Sequence, residues 1–314
     1  MIPMYMYYSM FGFQRIGDLA WAAGDSQAQG FLLGATAGRT TLNGEGLQHQ
    51  DGHSHILANT IPNCVAYDPC FGYELAVIVH DGLKRMYVDQ ERVFYYLTVM
   101  NENYEHPEMP QGAEEGIKRG MYQFEKDEKA TVQLLGSGVI LREVIKAAKI
   151  LRDEYQIHSN VWSVTSFNEL AREGMAVEEY NRLHPLEDGK EAWVSQQLRG
   201  TDGIVVSATD HVRAYSEQIR AYLPDSRPFV ALGTDGYGRS DTRGTLRSYF
   251  GVDAAHIVVA TLKKLADEGE VDARLVKDAI SSFELDVDRP VAWLPQAHPT
   301  TQDVAPYAEP TEEK

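Results

Sequence analysis

The sequence predicts an α/β protein of two domains, and three observations carry that expectation. Short apolar runs alternate with segments whose apolar residues recur at helical spacing. The chain has 314 residues, 43% of them hydrophobic, which is enough for two cores. Between Asn101 and Lys129 the alternation breaks at Pro107, Pro110 and the acidic pair Glu114 and Glu115, reads as an interdomain linker, and then resumes.

Taken in order, Pro3 to Tyr8 is an aromatic strand with the look of a buried central one, and Phe13 to Gln29 is a helix carrying Ile16, Leu19, Ala20, Ala23 and Ala28. Phe31 to Gly34 and Asn63 to Tyr67 are short enough to be buried strands. Gly72 to Tyr87 is a helix with Leu75, Val79, Leu83 and Met86 as its apolar stripe, and Arg92 to Val99 is a β-branched and aromatic strand. After the break, Thr131 to Leu135 is a strand, Gly136-Ser-Gly138 a turn and Ile140 to Tyr155 a helix. Val161 to Val164, Ile204 to Ala208 and Val230 to Leu232 are further strands, separated by helical segments near Phe167 to Glu173 and His211 to Leu223. Asp241 or Thr242 caps a helix to Phe250, Asp253 caps Ala254 to Glu268, and Asp272 starts the last helix, to Phe283. From Val287 the tail is rich in proline and acid, as a docked strap or a disordered segment would be.

Charge narrows the partners. A net charge of -17, with 46 acidic against 29 basic residues and no offsetting basic run, argues against nucleic acid and an anionic membrane surface. Small substrates or other proteins fit better. Cys64 and Cys70 have neither redox nor zinc-ribbon spacing, and no apolar run approaches membrane-spanning length. A reducing cytoplasm is the expected compartment.

Chemistry concentrates between Thr40 and His55, TTLNGEGLQHQDGHSH, where Glu45, Asp51, His49, His53 and His55 lie among three glycines. A zinc site on the histidines would require a helix that Gly46 and Gly52 disfavour, and no cysteine completes a soft set, so no metal ligand is assigned there. Glu45 and His49 are four apart; one helical turn would point both the same way and give a pair able to hold a proton near neutral pH. A hydrogen-bonded structural histidine is the competing reading. Gly136-Ser-Gly138 lacks the third glycine and the ribose-binding acid of a dinucleotide fingerprint. Gly233 to Asp241, GTDGYGRSD, is a second glycine-rich loop, read as turn chemistry and a helix cap. Tyr5, Tyr7, Tyr8, Phe11 and Phe13 suit either a core or a wall for a flat ring.

Several of these stretches resemble one family. YYSMFGFQRIGD from Tyr7 to Asp18, GRTTLNGEGLQH from Gly38 to His49 and DGHSH from Asp51 to His55 are similar to the homodimeric-type pyruvate dehydrogenase E1 component, as are Asn101 to Tyr104, Gln133 to Gly138, Ser163 to Phe167 and Leu232 to Asp241. The resemblance runs to about residue 285 and leaves out the tail. It implies two transketolase-like thiamine-enzyme domains of mostly parallel sheet flanked by helices. These would be a partial pyrimidine-binding domain at 1–110, a linker at 111–130, a C-terminal domain at 131–286 and a tail at 287–314. It also implies a C-terminal fragment, inactive alone, because the family's Mg²⁺ and diphosphate ligands would lie upstream. By the same resemblance Tyr8 and Phe11 stack on the aminopyrimidine of thiamine diphosphate, and Glu45 and His49 face its thiazolium and the substrate pyruvate. The implied partners are a lipoyl-bearing dihydrolipoyl acyltransferase and a second copy in a homodimer. A transketolase-type enzyme and a non-catalytic dimerisation fragment are the alternatives; only Arg15 and Arg39 are candidates for holding a sugar phosphate.

Overall fold

The computed structural model describes residues 1–289 and residue 292, so most of the 287–314 tail lies outside the described residues. Strand β1 (Met4–Tyr8) leads through a short 3-10 turn into helix α1 (Phe13–Asp25). Then come β2 (Phe31–Ala35), α2 (Ser54–Asn59), β3 (Cys64–Tyr67), α3 (Gly72–Tyr87) and β4 (Phe94–Val99). The four strands form one parallel sheet in the order β1-β2-β4-β3. Helix α4 (Glu114–Arg119) and β5 (Tyr122–Glu125) lead to a second sheet. It is built from β6 (Val132–Gly136), α5 (Leu141–Tyr155), β7 (Ser159–Ser163), α6 (Phe167–Leu183), α7 (Trp193–Leu198), β8 (Ile204–Ala208), α8 (Ala214–Glu217) and β9 (Phe229–Leu232). Its order is β5-β7-β6-β8-β9, with only β5 antiparallel. Helices α9 (Arg243–Phe250), α10 (Ala254–Asp267) and α11 (Ala273–Ser282) follow. None of the described helices is long and apolar enough to cross a membrane.

The local causes are those of a parallel α/β protein. Strands covered on both faces read as unbroken apolar runs, and β3, β6 and β8 are buried at every residue. Helix starts are fixed by side chains that take up free backbone N–H groups: Ser166 for α6, Thr242 rather than Asp241 for α9, Asp253 for α10 and Asp272 for α11. At α3 the fully buried Glu74 does this, accepting from the Cys70 and Phe71 N–H groups at 2.6 and 2.9 Å.

Three expectations change. Strand β1 is an edge strand rather than a buried central one, and Met4, Tyr5 and Met6 stand 53%, 60% and 61% exposed, because only β2 pairs with it. The 111–130 segment is not a bare linker. Ile117 and Met121, four apart, are completely buried, and Gly120 at φ 100° turns α4 directly into the edge strand β5. The helix expected from His211 to Leu223 survives only as α8 and 3-10 turns, since the backbone at its start bonds elsewhere: Val212 N–H to Gly52 O at 2.7 Å, His211 O from Thr234 N–H at 2.8 Å.

The two sheets meet at the carboxyl ends of their strands. Asp68, just past β3, donates its N–H to Thr165 O at 2.8 Å and accepts from Gly138 N–H at 3.0 Å. Ser166 Oγ donates to Ala66 O at 2.6 Å, and Arg172 of α6 donates to the carbonyls of Asn59, Ile61 and Cys64 at 2.5–3.1 Å. Loops at such a position hold ligands in open α/β sheets. If the 111–130 segment is part of the core as described, Ile117→Ala lowers stability by about 2–5 kcal/mol in urea denaturation. A change under about 0.5 kcal/mol, as at a surface position, would restore the linker reading.

Candidate active site

The stretch that joins β2 to α2 holds the candidate residues, and buried groups of the second sheet fix it in place. Gly38 turns at φ 90°, and a Cβ there would overlap the Asp210 carboxylate. That carboxylate accepts from Thr40 N–H at 2.9 Å, Thr41 N–H at 3.2 Å and Thr41 Oγ1 at 2.6 Å. Buried Arg39 donates to Thr234 O at 2.5 Å and to Gly236 O. Farther along, Gly44 N–H bonds Asp241 O at 3.0 Å, Leu47 bridges to Gly238, and Gln50 Oε1 accepts from Arg239 N–H at 2.7 Å. The 233–241 loop, expected to be only a turn and a cap, is therefore also the cradle of the histidine loop.

On that support Glu45 and His49 come within 3.6 Å, Oε2 to Nδ1, without the helical turn the spacing suggested. Gly44 and Gly46 reverse the chain at φ 83° and 60°, and His49 N–H closes the turn on Gly46 O at 2.9 Å. The other two candidates meet them from β1 and the turn after it. Tyr8 OH donates to both Glu45 oxygens, at 3.1 and 3.3 Å. The His49 ring lies edge-on to Phe11 and Tyr8, with centroids 5.3 and 5.7 Å away, and Tyr8 and Phe11 are 5.6 Å apart. Arg15 stands over Phe11 at 4.8 Å. The pair is open to solvent, with side chains 27% exposed for His49 and 47% for Glu45, and at 3.6 Å His49 Nδ1 has no hydrogen-bond partner. Such a cluster offers aromatic surface for a flat ring, with a carboxylate and an imidazole beside it.

Comparison with known proteins decides the family. Residues 1–107 match the model of the pyruvate dehydrogenase E1 component middle domain, and residues 120–253 that of the transketolase-like C-terminal domain. The chain is 58% identical over 292 residues to the pyruvate dehydrogenase E1 components of Pseudomonas aeruginosa and Escherichia coli, across 92% of its own length. The chain belongs to the pyruvate dehydrogenase E1 component family. It spans about a third of the length of these curated relatives, 33%. Among solved structures it is similar in fold to the Campylobacter jejuni transketolase, with TM-score 0.65 and 16% identity over 83% of this chain and 35% of that one. A split-gene transketolase described as an inactive β4 tetramer matches with TM-score 0.56 and 18% identity, over 84% of this chain and 77% of that one.

The other two histidines of the loop in this E1-family chain, His53 and His55, turn away from that cluster to separate partners. His53 Nδ1 lies 3.3 Å from Arg39 Nη2, and burial with that cation pushes its pKa down. His55 is completely buried, with Nε2 2.9 Å from Thr98 Oγ1. It joins Asp68 and His211 in a group whose ligand-type atoms lie within 4.8 Å of one another. Asp68 accepts from Thr98 and Ser137 hydroxyls at 2.6 and 2.9 Å, and His211 Nε2 stands 3.5 Å from its Oδ1. Burial opposes the charge on both, but each raises the other's tendency to ionise: the His211 pKa goes up, helped by Asp51 and Asp210, and the Asp68 pKa goes down. Ser137, of the glycine-rich turn tested for a dinucleotide, is occupied by Asp68 and Thr209. Asp68, Asp210 and His211 escaped sequence reasoning. The available signal was their place directly after apolar strand runs, Tyr67-Asp68 and Ala208-Thr-Asp-His211.

These shifts set the pH response. Burial and the nearby His211 depress His55 to about 3, so between pH 6.5 and 3 the unfolded state binds a proton that the folded state refuses. Stability therefore falls on acidification, by about 1.4 kcal/mol per pH unit for that one proton. Asp51, held at about 2 despite its burial, adds stability that is full above 3.8 and lost as pH falls towards 2. His211 has the opposite sign: its contribution is full below 6.5 and lost as pH rises through its raised folded value. His55→Gln should make the acid limb of melting temperature against pH shallower between 6.5 and 3, leaving the slope that His53 contributes. An unchanged limb would contradict the assignment.

Proposed function

We propose that this chain forms the ring-facing and substrate-facing side of a pyruvate dehydrogenase E1 active site, working with thiamine diphosphate and Mg²⁺ as a cytoplasmic homodimer. The reaction is decarboxylation of pyruvate with transfer of the acetyl group to a lipoyl group on dihydrolipoyl acyltransferase. The observation that carries the reading is the meeting of Tyr8, Phe11, Glu45 and His49 in one open cluster. Family membership at 58% identity supports the same chemistry, whereas the transketolase alternative rests on likeness of fold at 15–18% identity.

The residues present fit the ring of the cofactor and not its metal end. Tyr8 and Phe11 offer neighbouring aromatic surface with a polar rim at the Tyr8 hydroxyl. Mg²⁺ on a diphosphate takes an open set of oxygens and keeps several waters. The one group of three clustered metal-type ligands among the described residues, His55, Asp68 and His211, is fully buried and offers two imidazoles to one carboxylate, so no metal ligand is assigned to it. Thiamine diphosphate, when bound, supplies the electron sink that decarboxylation of a 2-oxo acid demands.

The chain's own residues then do three things. Tyr8 and Phe11 orient the ring and, by their edge-on contacts, hold the His49 imidazole at a fixed angle. His49 gives a hydrogen bond or proton to the oxygen or sulfur on which negative charge develops. Glu45, itself fixed by Tyr8 OH, places its carboxylate 3.6 Å from that imidazole. Losing a donor of this kind costs about 10²- to 10³-fold in kcat. His49→Ala should therefore lose about that much pyruvate oxidation in the assembled complex, with its melting temperature nearly unchanged. Glu45→Gln should add little on top, because both disable one unit. Wild-type turnover in His49→Ala, or a loss that merely follows a large fall in melting temperature, would return the loop to a structural role.

A further inference from the structure

The aromatic wall and the acid–base pair reach the candidate site on two separate segments, and one buried group touches both. Asp51 is completely buried. Its Oδ1 accepts from Gln14 Nε2 at 2.8 Å, Ser54 N–H at 3.0 Å and His53 N–H at 3.1 Å, and its Oδ2 accepts from the Ser9 and Ser54 hydroxyls. Ser9 lies between Tyr8 and Phe11, and Gln14 lies three residues beyond Phe11, so two of the five donors belong to the wall. The other three belong to the exit of the histidine loop, and Asp51 itself follows His49 by two residues. Tyr96 OH, 2.8 Å from Ser54 Oγ and 3.1 Å from Ser9 Oγ, anchors the network to β4.

We infer that Asp51 is a positioning residue that fixes the Tyr8–Phe11 wall against the Glu45–His49 pair; the inference rests on the active-site reading given above. The chemistry favours a carboxylate there. An ionised carboxylate is acceptor-only, with about four lone-pair sites on two oxygens, so it can gather donors from several directions at once. Charge-assisted hydrogen bonds of this kind are roughly twice as strong as neutral ones. An amide of the same shape brings an NH₂ where the hydroxyls of Ser9 and Ser54 now donate. An ordinary structural role is also open to Asp51, since its bonds to His53 and Ser54 alone would cap α2. The bonds to Ser9 and Gln14 do nothing for that helix, and they carry the distinction.

The experiment cuts the two arms separately. In chain labelled with ¹³C-histidine, the His49 ring resonance carries ring-current shifts from Phe11 and Tyr8, and His49→Ala assigns it. The wall-side double variant Ser9→Ala/Gln14→Ala leaves the loop-side bonds of Asp51 intact, and Asp51→Asn weakens both arms. The expected result is that both variants move the His49 resonance toward that of a solvated histidine. In the assembled enzyme, kcat should fall by up to about 10²-fold, as for a misplacement of about 1 Å, with KM for pyruvate little changed. A His49 resonance that stays in place in the wall-side variant, whatever the melting temperature does, would overturn the inference and leave Asp51 as a cap of α2. Should Asp51→Asn fail to fold, the wall-side variant decides alone. Should the wild-type assembled enzyme fail to oxidise pyruvate, the active-site reading falls, while the resonance still judges whether Asp51 fixes the wall to the loop.

Discussion

Two sheets that meet through the carboxyl ends of their strands bury the polar residues which follow each strand, and burial makes an unpartnered group costly. Here the partners come from the opposite sheet. Asp68 after β3 takes the Ser137 hydroxyl after β6 and lies 3.5 Å from the His211 ring after β8, while Asp210 after β8 takes the backbone of Thr40 and Thr41 after β2. Removing one partner leaves a buried charge uncompensated, which costs far more than the net gain of making the pair. The two halves are thereby tied to one relative position, and the loop that carries Glu45 and His49 inherits it.

This division of labour explains how a C-terminal sheet that contributes none of the four candidate residues still sets their geometry. Arg39, Gln50 and the backbone of Gly44 and Leu47 are each held by residues 234–241. Those contacts are mostly backbone to backbone or side chain to backbone, so they fix a path for the chain rather than a chemistry. The chemistry comes from the side chains displayed on that path. The same fold with other side chains can serve another reaction, in keeping with fold likeness to transketolases at low identity.

What the sequence made legible follows the range of the interactions. Helix α3 and strand β8 lie where their patterns put them, because an apolar stripe or run is a local signal. The meeting of Tyr8 and Phe11 with Glu45 and His49, 34 or more residues apart, was reachable only through resemblance, since nothing in local spacing brings β1 over the loop. The segments that misled are those whose backbone serves distant partners. Residues 211–212 give up helical bonding to Gly52 and Thr234, and α4 and β5 are stabilised by burying Ile117 in the core of the first sheet and Met121 in that of the second rather than by strong local propensity.

The glycines of the site loop show how a permissive stretch becomes a determined one. Spacing alone suggested that Glu45 and His49 would share a helical face, yet the turn that joins them uses positive φ at Gly44 and Gly46, conformations that L-residues avoid. Gly46 also lies against Ser240, and Gly52 against the Arg39 guanidinium, where a side chain would displace the cradle or the cation. A loop built this way has little freedom left once the second sheet is in place. Its two titratable groups sit at the partly exposed end, where His49 Nδ1 is itself shielded from solvent and faces the Glu45 carboxylate at 3.6 Å. Rigidity supplied from behind is what electrostatic preorganisation of a proton donor calls for.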